Sequence, residues 1–90
     1  MKIDEKILER EYKALANRRR LAILRLLKRR TRAAVGEIAG DIRLSFKATS
    51  KHLNILYGAG LDDKEQQGLS VQYFLKNGLR EPFRAAVNSL

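Results

Sequence analysis

The run from Ser45 to Leu56 carries the side chains whose spacing points most directly to chemistry. Wound as a helix, it turns Lys47, Ser50, Lys51 and Asn54 outward. Lysine donates to guanine O6 and N7 or to phosphate, serine suits many base edges, and asparagine pairs bidentately with adenine. Ser45, just ahead, is an N-cap residue, and the free amides of that helix start favour a phosphate oxygen. Thr49 belongs to the same candidate set, although helical spacing turns it inward with Leu53 and Leu56.

A second set is purely electrostatic. Between Arg10 and Arg32 stand ten cations and one acid, Glu11. Such a block can neutralise several phosphates and makes binding strongly salt-dependent. Arg18, Arg19 and Arg20 are its candidate DNA contacts. One or two of the three should face DNA, with at least one packing its stem or pairing with an acid. For Lys28 to Arg32, phosphate contact and a solvated loop are equally good readings. His52 borders the packed side of its helix and has no companion His or Cys, so it reads as a half-buried helix residue, not a ligand.

What is missing narrows the field. The sequence has no cysteine and one histidine, which excludes disulfides, thiolate metal sites and a Cys nucleophile. No carboxylate pair sits in a recognisable catalytic pattern, so an enzyme is not expected, nor a cofactor. Ninety residues, 44% hydrophobic and 32% charged, describe one ordered domain. A net charge of +9 favours a polyanionic partner. The longest apolar run, Leu21–Leu24, is too short to span a bilayer. Asp4 and Glu5 follow Met1 with no apolar stretch after them, which leads to the expectation of no signal peptide and a cytoplasmic chain.

These side chains need elements to position them. Ile3, Ile7, Leu8, Tyr12 and Leu15 share one face of a helix over 3–15. Asn17 caps a second helix over about 18–28, and Lys28 to Arg32 reads as a connection. A short helix over 34–41, a tight turn at 42–44 and the Ser45-capped helix to about Tyr57 form a helix-turn-helix over about 34–57. Gly58 and Gly60 end it. Strand-like arms at 62–65 and 70–75 around a 66–69 turn give a β-hairpin, a wing over about 62–75. A last helix over 79–90, with Pro82 in its first turn, carries Leu79, Phe83, Val87 and Leu90 on one face. The fold class is mainly α with a small β-hairpin, in the order α-α-α-α-β-β-α.

From Tyr12 to Leu75 the sequence resembles the ArsR/SmtB-like winged helix-turn-helix repressors. Lys13-Ala14-Leu15-Ala16-Asn17-Arg18-Arg19-Arg20-Leu21-Ala22-Ile23-Leu24 is similar to the family's ALADPTRLRIL stretch. Val35-Gly36-Glu37-Ile38-Ala39 is similar to VGELA. Leu44-Ser45 through Ser50-Lys51-His52-Leu53 to Leu56, then Ala59-Gly60-Leu61, resembles LSQPTVSHHLKVLREAGLV. Together and in order, the three are specific. The resemblance implies a homodimer built from the first and last helices, here through Ile3, Ile7, Leu8, Leu79, Phe83, Val87 and Leu90. It also implies that Phe46, Lys47, Ser50 and Lys51 hold base- and phosphate-contacting positions.

The departures are as informative. The Cys-Val-Cys of metal-sensing members is matched by Ala34, Val35 and Gly36, and the last helix has no His or Asp, so the family's metal sites are not expected. Phe46 replaces a frequent Gln and offers a thymine methyl an apolar contact. Lys64, Gln66 and Gln67 are the wing's candidate DNA contacts, on a hairpin whose base is acidic with Asp62, Asp63 and Glu65. The leading expectation is a sequence-specific regulator, a homodimeric repressor of a palindromic site in double-stranded DNA, with a small-molecule effector possible but unidentified. The alternatives are a nonspecific architectural DNA-binding protein and a winged helix used for protein interaction.

Overall fold

A computed structural model describes residues 3–90. Five helices and three strands follow one another as α1 (Glu5–Leu15), α2 (Arg18–Arg30), β1 (Ala33–Ala34), α3 (Val35–Ile42), α4 (Phe46–Gly58), β2 (Asp62–Gln67), β3 (Ser70–Leu75) and α5 (Phe83–Asn88). The order agrees with the sequence reading, with one addition and several moved boundaries.

α2 is the central element, packed by α1, α3, α4, α5 and β3. That is why Ile23, Leu24, Leu26 and Leu27 are all buried, a wider apolar face than a surface helix shows. Ile38 of α3, Leu53 and Leu56 of α4, Leu61, Ala14, Tyr73 and Phe83 complete the core. Each fully buried Leu or Ile contributes about 2 kcal/mol through removal from water.

The boundaries have local causes. Asp4 accepts from the amide of Lys6 at 2.7 Å and starts α1 at Glu5. Ile3 therefore lies outside the helix, where the periodicity had placed it inside. Asn17 caps α2 as expected, accepting from the amides of Arg19 and Arg20 at 2.9 and 3.1 Å. Lys28, Arg29 and Arg30 form the last turn of α2 and not a loop. Cations suit the negative end of a helix dipole, and the helix stops only at Thr31, whose φ of +74° breaks the pattern.

The addition is β1. Ala33 and Ala34 pair antiparallel with Tyr73 and Gln72, giving sheet order β1-β3-β2. The hairpin is tighter and longer than expected: β2 runs to Gln67, and only Gly68 and Leu69 turn the chain, with Gly68 at φ +62°. α4 ends in paired bonds, Gly60 N–H to Tyr57 O and Leu61 N–H to Leu56 O, both 3.0 Å. That geometry needs Gly60 at φ +85°, whereas Gly58 is still helical.

The last helix is half the expected length. Proline disfavours α geometry in the residue before it, so Leu79 to Glu81 stay irregular and α5 begins after Pro82. Phe83 and Val87 turn into the chain's own core, while Leu79 and Leu90 are half-buried. Of the stripe read as an interface or core face, Phe83 and Val87 are thus core residues of this chain.

Candidate nucleic-acid interface

α3 and α4 meet through Arg43, which takes the left-handed conformation at φ +56°, and Leu44, whose amide donates to Ala39 O at 3.0 Å. Ser45 follows as N-cap, its Oγ accepting from the Ala48 amide at 3.1 Å. The carboxylate of Glu37 receives the Ala34 amide at 2.9 Å and Arg30 at 2.9 Å, which fixes the start of α3. The hydrogen bond from the Ala34 amide, then the hydrogen bond and charge of Arg30, hold the Glu37 carboxyl below its usual value. The two helices are thus pinned at their ends and packed at their centres.

This geometry sorts the expected contacts. Phe46, Lys47, Lys51 and Asn54 are exposed on one side of α4, and Ser50 is half-buried beside them. Phe46 is 63% exposed, an apolar ring in water ahead of two lysines. Thr49 is fully buried with no hydrogen-bond partner for its hydroxyl, so it faces the core and cannot reach DNA. Its place four residues before Leu53 and seven before Leu56 already carried that signal.

Of the three arginines, Arg20 turns inward. Its guanidinium donates to the carbonyls of Ala14 and Lys13, both at 2.7 Å, and lies 3.3 Å from His52 Nδ1. Arg20 therefore braces the α1–α2 corner against α4 and is withdrawn from the DNA set. Arginine can only donate, so His52 accepts at Nδ1 and carries its proton on Nε2. Burial, then Arg20, Arg19 and Lys51, push the His52 pKa down, which keeps the ring neutral and able to accept. This link between positions 32 residues apart has no local sequence signal. Arg18 stays exposed and Arg19 half-buried.

The Lys28–Arg32 block is not a free loop, and three of its cations are engaged within the chain. Lys28 donates to Val87 O at 3.1 Å, Arg30 pairs with Glu37, and Arg32 stacks over the Phe74 ring at 4.5 Å while lying 3.7 Å from Glu65. Arg32 thus fastens the wing to the end of α2 and offsets part of its acidic base.

The wing's candidates are partly engaged within it. Gln66 donates to Gly68 O at 2.8 Å, Gln67 to Glu65 at 3.3 Å, and Lys64 lies over the Tyr57 ring at 5.2 Å. All three remain exposed. At the wing's foot Asp62 is fully buried with neither oxygen partnered, and burial, helped by Asp63, pushes its pKa up to about 7. Sequence reasoning placed it at the hairpin's start but missed its burial, because its register opposite Leu75 is set by the sheet.

Away from α4, the exposed large apolar side chains among the described residues are Ile7 and Tyr12 on α1, Ile3 just before it, and Leu69 at the tip of the wing. Glu11 of α1 is buried and ion-paired to Arg80, tying α1 to the segment before α5.

Known proteins share this arrangement. The family model described as bacterial regulatory protein, arsR family, matches residues 17–61. Cadmium resistance transcriptional regulatory proteins CadC from Listeria innocua and Lactococcus lactis are each 38% identical over 66 residues, covering 73% of this chain and 56% of theirs. The chain thus spans a little over half the length of these curated relatives. Among solved structures, HlyU from Vibrio cholerae superposes with a TM-score of 0.80 at 30% identity, covering 99% of this chain and 92% of that one. A homodimeric winged helix-turn-helix DNA-binding domain from Mycobacterium bovis, a possible ArsR-family regulator, gives 0.79 at 30% identity, over 93% and 74%.

Proposed function

We propose that this chain, which belongs to the arsR family of bacterial regulatory proteins, acts as a homodimeric repressor that sets α4 into the major groove of a palindromic operator. The family's architecture is a DNA-binding winged helix-turn-helix. The observation that carries the finer reading is the split character of α4. Its inner face is fixed in the core by Thr49, Leu53 and Leu56, and its outer face offers Phe46, Lys47, Ser50, Lys51 and Asn54. Such a face reads base edges from a rigid platform.

Dimerisation is supported by the exposed α1 residues Ile7 and Tyr12 and by the homodimeric Mycobacterium bovis neighbour. Two-fold symmetry would present two α4 helices about 34 Å apart, one turn of DNA. The wing follows the backbone through Lys64, Gln66 and Gln67. A cytoplasmic location goes with the proposed DNA-binding role.

The test is a titration into a duplex carrying the protein's own upstream region, beside a scrambled duplex of equal composition. Preference for the native duplex, saturating at two chains per site, is expected. Lys51→Ala should weaken specific binding by about 1–3 kcal/mol if it reads a base. Unchanged affinity in both Lys47→Ala and Lys51→Ala proteins would remove α4 as the reading element. Equal curves for both duplexes would favour an architectural binder, and negligible binding at low salt a protein-interaction module.

A further inference from the structure

The outer face of α2 presents cations that the recognition helix does not use. Arg18, Arg25 and Arg29, with Ala22 between them, share one side over about 16 Å of helix axis. With Arg19, Leu26 and the end of α3, at Asp41 and Ile42, they wall an open groove of about 360 Å³. Most other cations of this region are held: Arg20 by carbonyls, Lys28 by α5, Arg30 by Glu37 and Arg32 by the wing. Among the described residues, Arg18, Arg19 and Arg25 pair with no acid, and Arg29 only with Asp41 at 3.7 Å, where both side chains are about half exposed or more. So long and wet a pair contributes little.

Position says what such a groove meets. In a helix-turn-helix the first helix crosses the sugar–phosphate backbone while the second enters the groove. The arginine groove borders the C-terminal end of that first helix, α3, four residues before Ser45. We propose that this groove seats the backbone of the same duplex, on the strand flanking the bases that α4 reads. Guanidinium groups match phosphate oxygens bidentately, and Ala22, Leu26 and Ile42 give the deoxyribose an apolar wall. Asp41 is the internal competitor, holding Arg29 until a phosphate displaces it. The inference rests on the DNA-binding reading above and extends the contact surface along α2 from Arg18 and Arg19 to Arg25 and Arg29.

The test measures Kd for the native and scrambled duplexes across a salt series, using Arg25→Ala/Arg29→Ala, Asp41→Asn and Lys51→Ala proteins. Both arginines are exposed on a helix and alanine keeps helicity, so thermal melts should match the parent. Removing two phosphate contacts should reduce the log Kd against log salt slope by about 2. Affinity should fall by a similar factor for both duplexes, leaving the preference between them intact. Asp41→Asn should bind more tightly, and Lys51→Ala should lose preference at an almost unchanged slope. A double arginine variant with the parent's slope and affinity would overturn the groove while Lys51→Ala still upheld base reading. A loss confined to the native duplex would overturn the backbone assignment. Failure of the unaltered protein to bind any duplex at low salt would overturn both readings together.

Discussion

Asp62 makes this protein's stability depend on pH in a direction opposite to that of a salt-bridged acid. Its carboxyl is fully buried, both oxygens lack partners, and its pKa rises from the ordinary 3.8 to about 7. Burial is the main cause and Asp63 adds to it, while Lys64 and Lys76 work against it. The folded state therefore binds this proton more tightly than the unfolded chain, by about 4 kcal/mol at full effect. Below pH 3.8 both states are protonated and nothing is lost. As pH rises, the unfolded carboxyl ionises first, and folding weakens until the buried group ionises near pH 7. Between pH 5 and pH 8 the loss works out at about 2.5 kcal/mol, a large share of a small domain's stability. His52 acts in the opposite sense, because its lowered pKa costs stability as pH falls. Comparing the parent with Asp62→Asn cancels that contribution. Urea unfolding at pH 5, 6, 7 and 8 should show the parent's free energy of unfolding falling relative to the variant by that amount. Parallel pH profiles for the two proteins would refute the reasoning, since they would mean Asp62 titrates alike in both states.

Other perturbations act on single fastenings. Ser45→Ala removes the only side-chain cap of α4 and should cost about 1 kcal/mol in chemical denaturation, with Ser45→Gly costing a few tenths. A Gly variant less stable than the Ala variant would show that the hydroxyl is not acting as a cap. Arg80→Ala leaves the buried Glu11 carboxylate without its partner and should cost about 3 kcal/mol, measured by thermal melting. Glu11→Gln in the same background should recover part of that loss, and no recovery would mean that Arg80 acts through packing instead of charge.

The helices were legible where local chemistry decides them. The periodicity begins the first helix at Ile3, two residues before the start that the Asp4 cap sets, whereas Asn17 and Ser45 mark their helix starts correctly. Lys47, Ser50, Lys51 and Asn54 of α4 followed from spacing, because Leu53 and Leu56 mark the opposite face. What the sequence hid is non-local. Arg20 and His52 are 32 residues apart, and nothing in either neighbourhood says that one holds the other. Ala33 and Ala34 have no strand character and become β1 only because β3 offers a free edge. For Lys28 to Arg32, charge alone left phosphate contact and a solvated loop equally good, because the partners come from α3, α5 and the wing. The arginine groove needed α3 laid against α2 before four separate cations became one surface.

The three-stranded sheet also governs how this chain meets its own copies at high concentration. Its apolar strand, β3, lies in the middle with hydrogen-bonding neighbours on both sides. One margin is only Ala33 and Ala34, too brief to template another strand. The other is β2, where Asp63, Lys64, Glu65, Gln66 and Gln67 set alternating charge and amide groups along the open side. Short margins and charged margins are the two common defences against sheet-to-sheet accretion. A crowded solution of this protein should therefore resist growth into β-rich fibres.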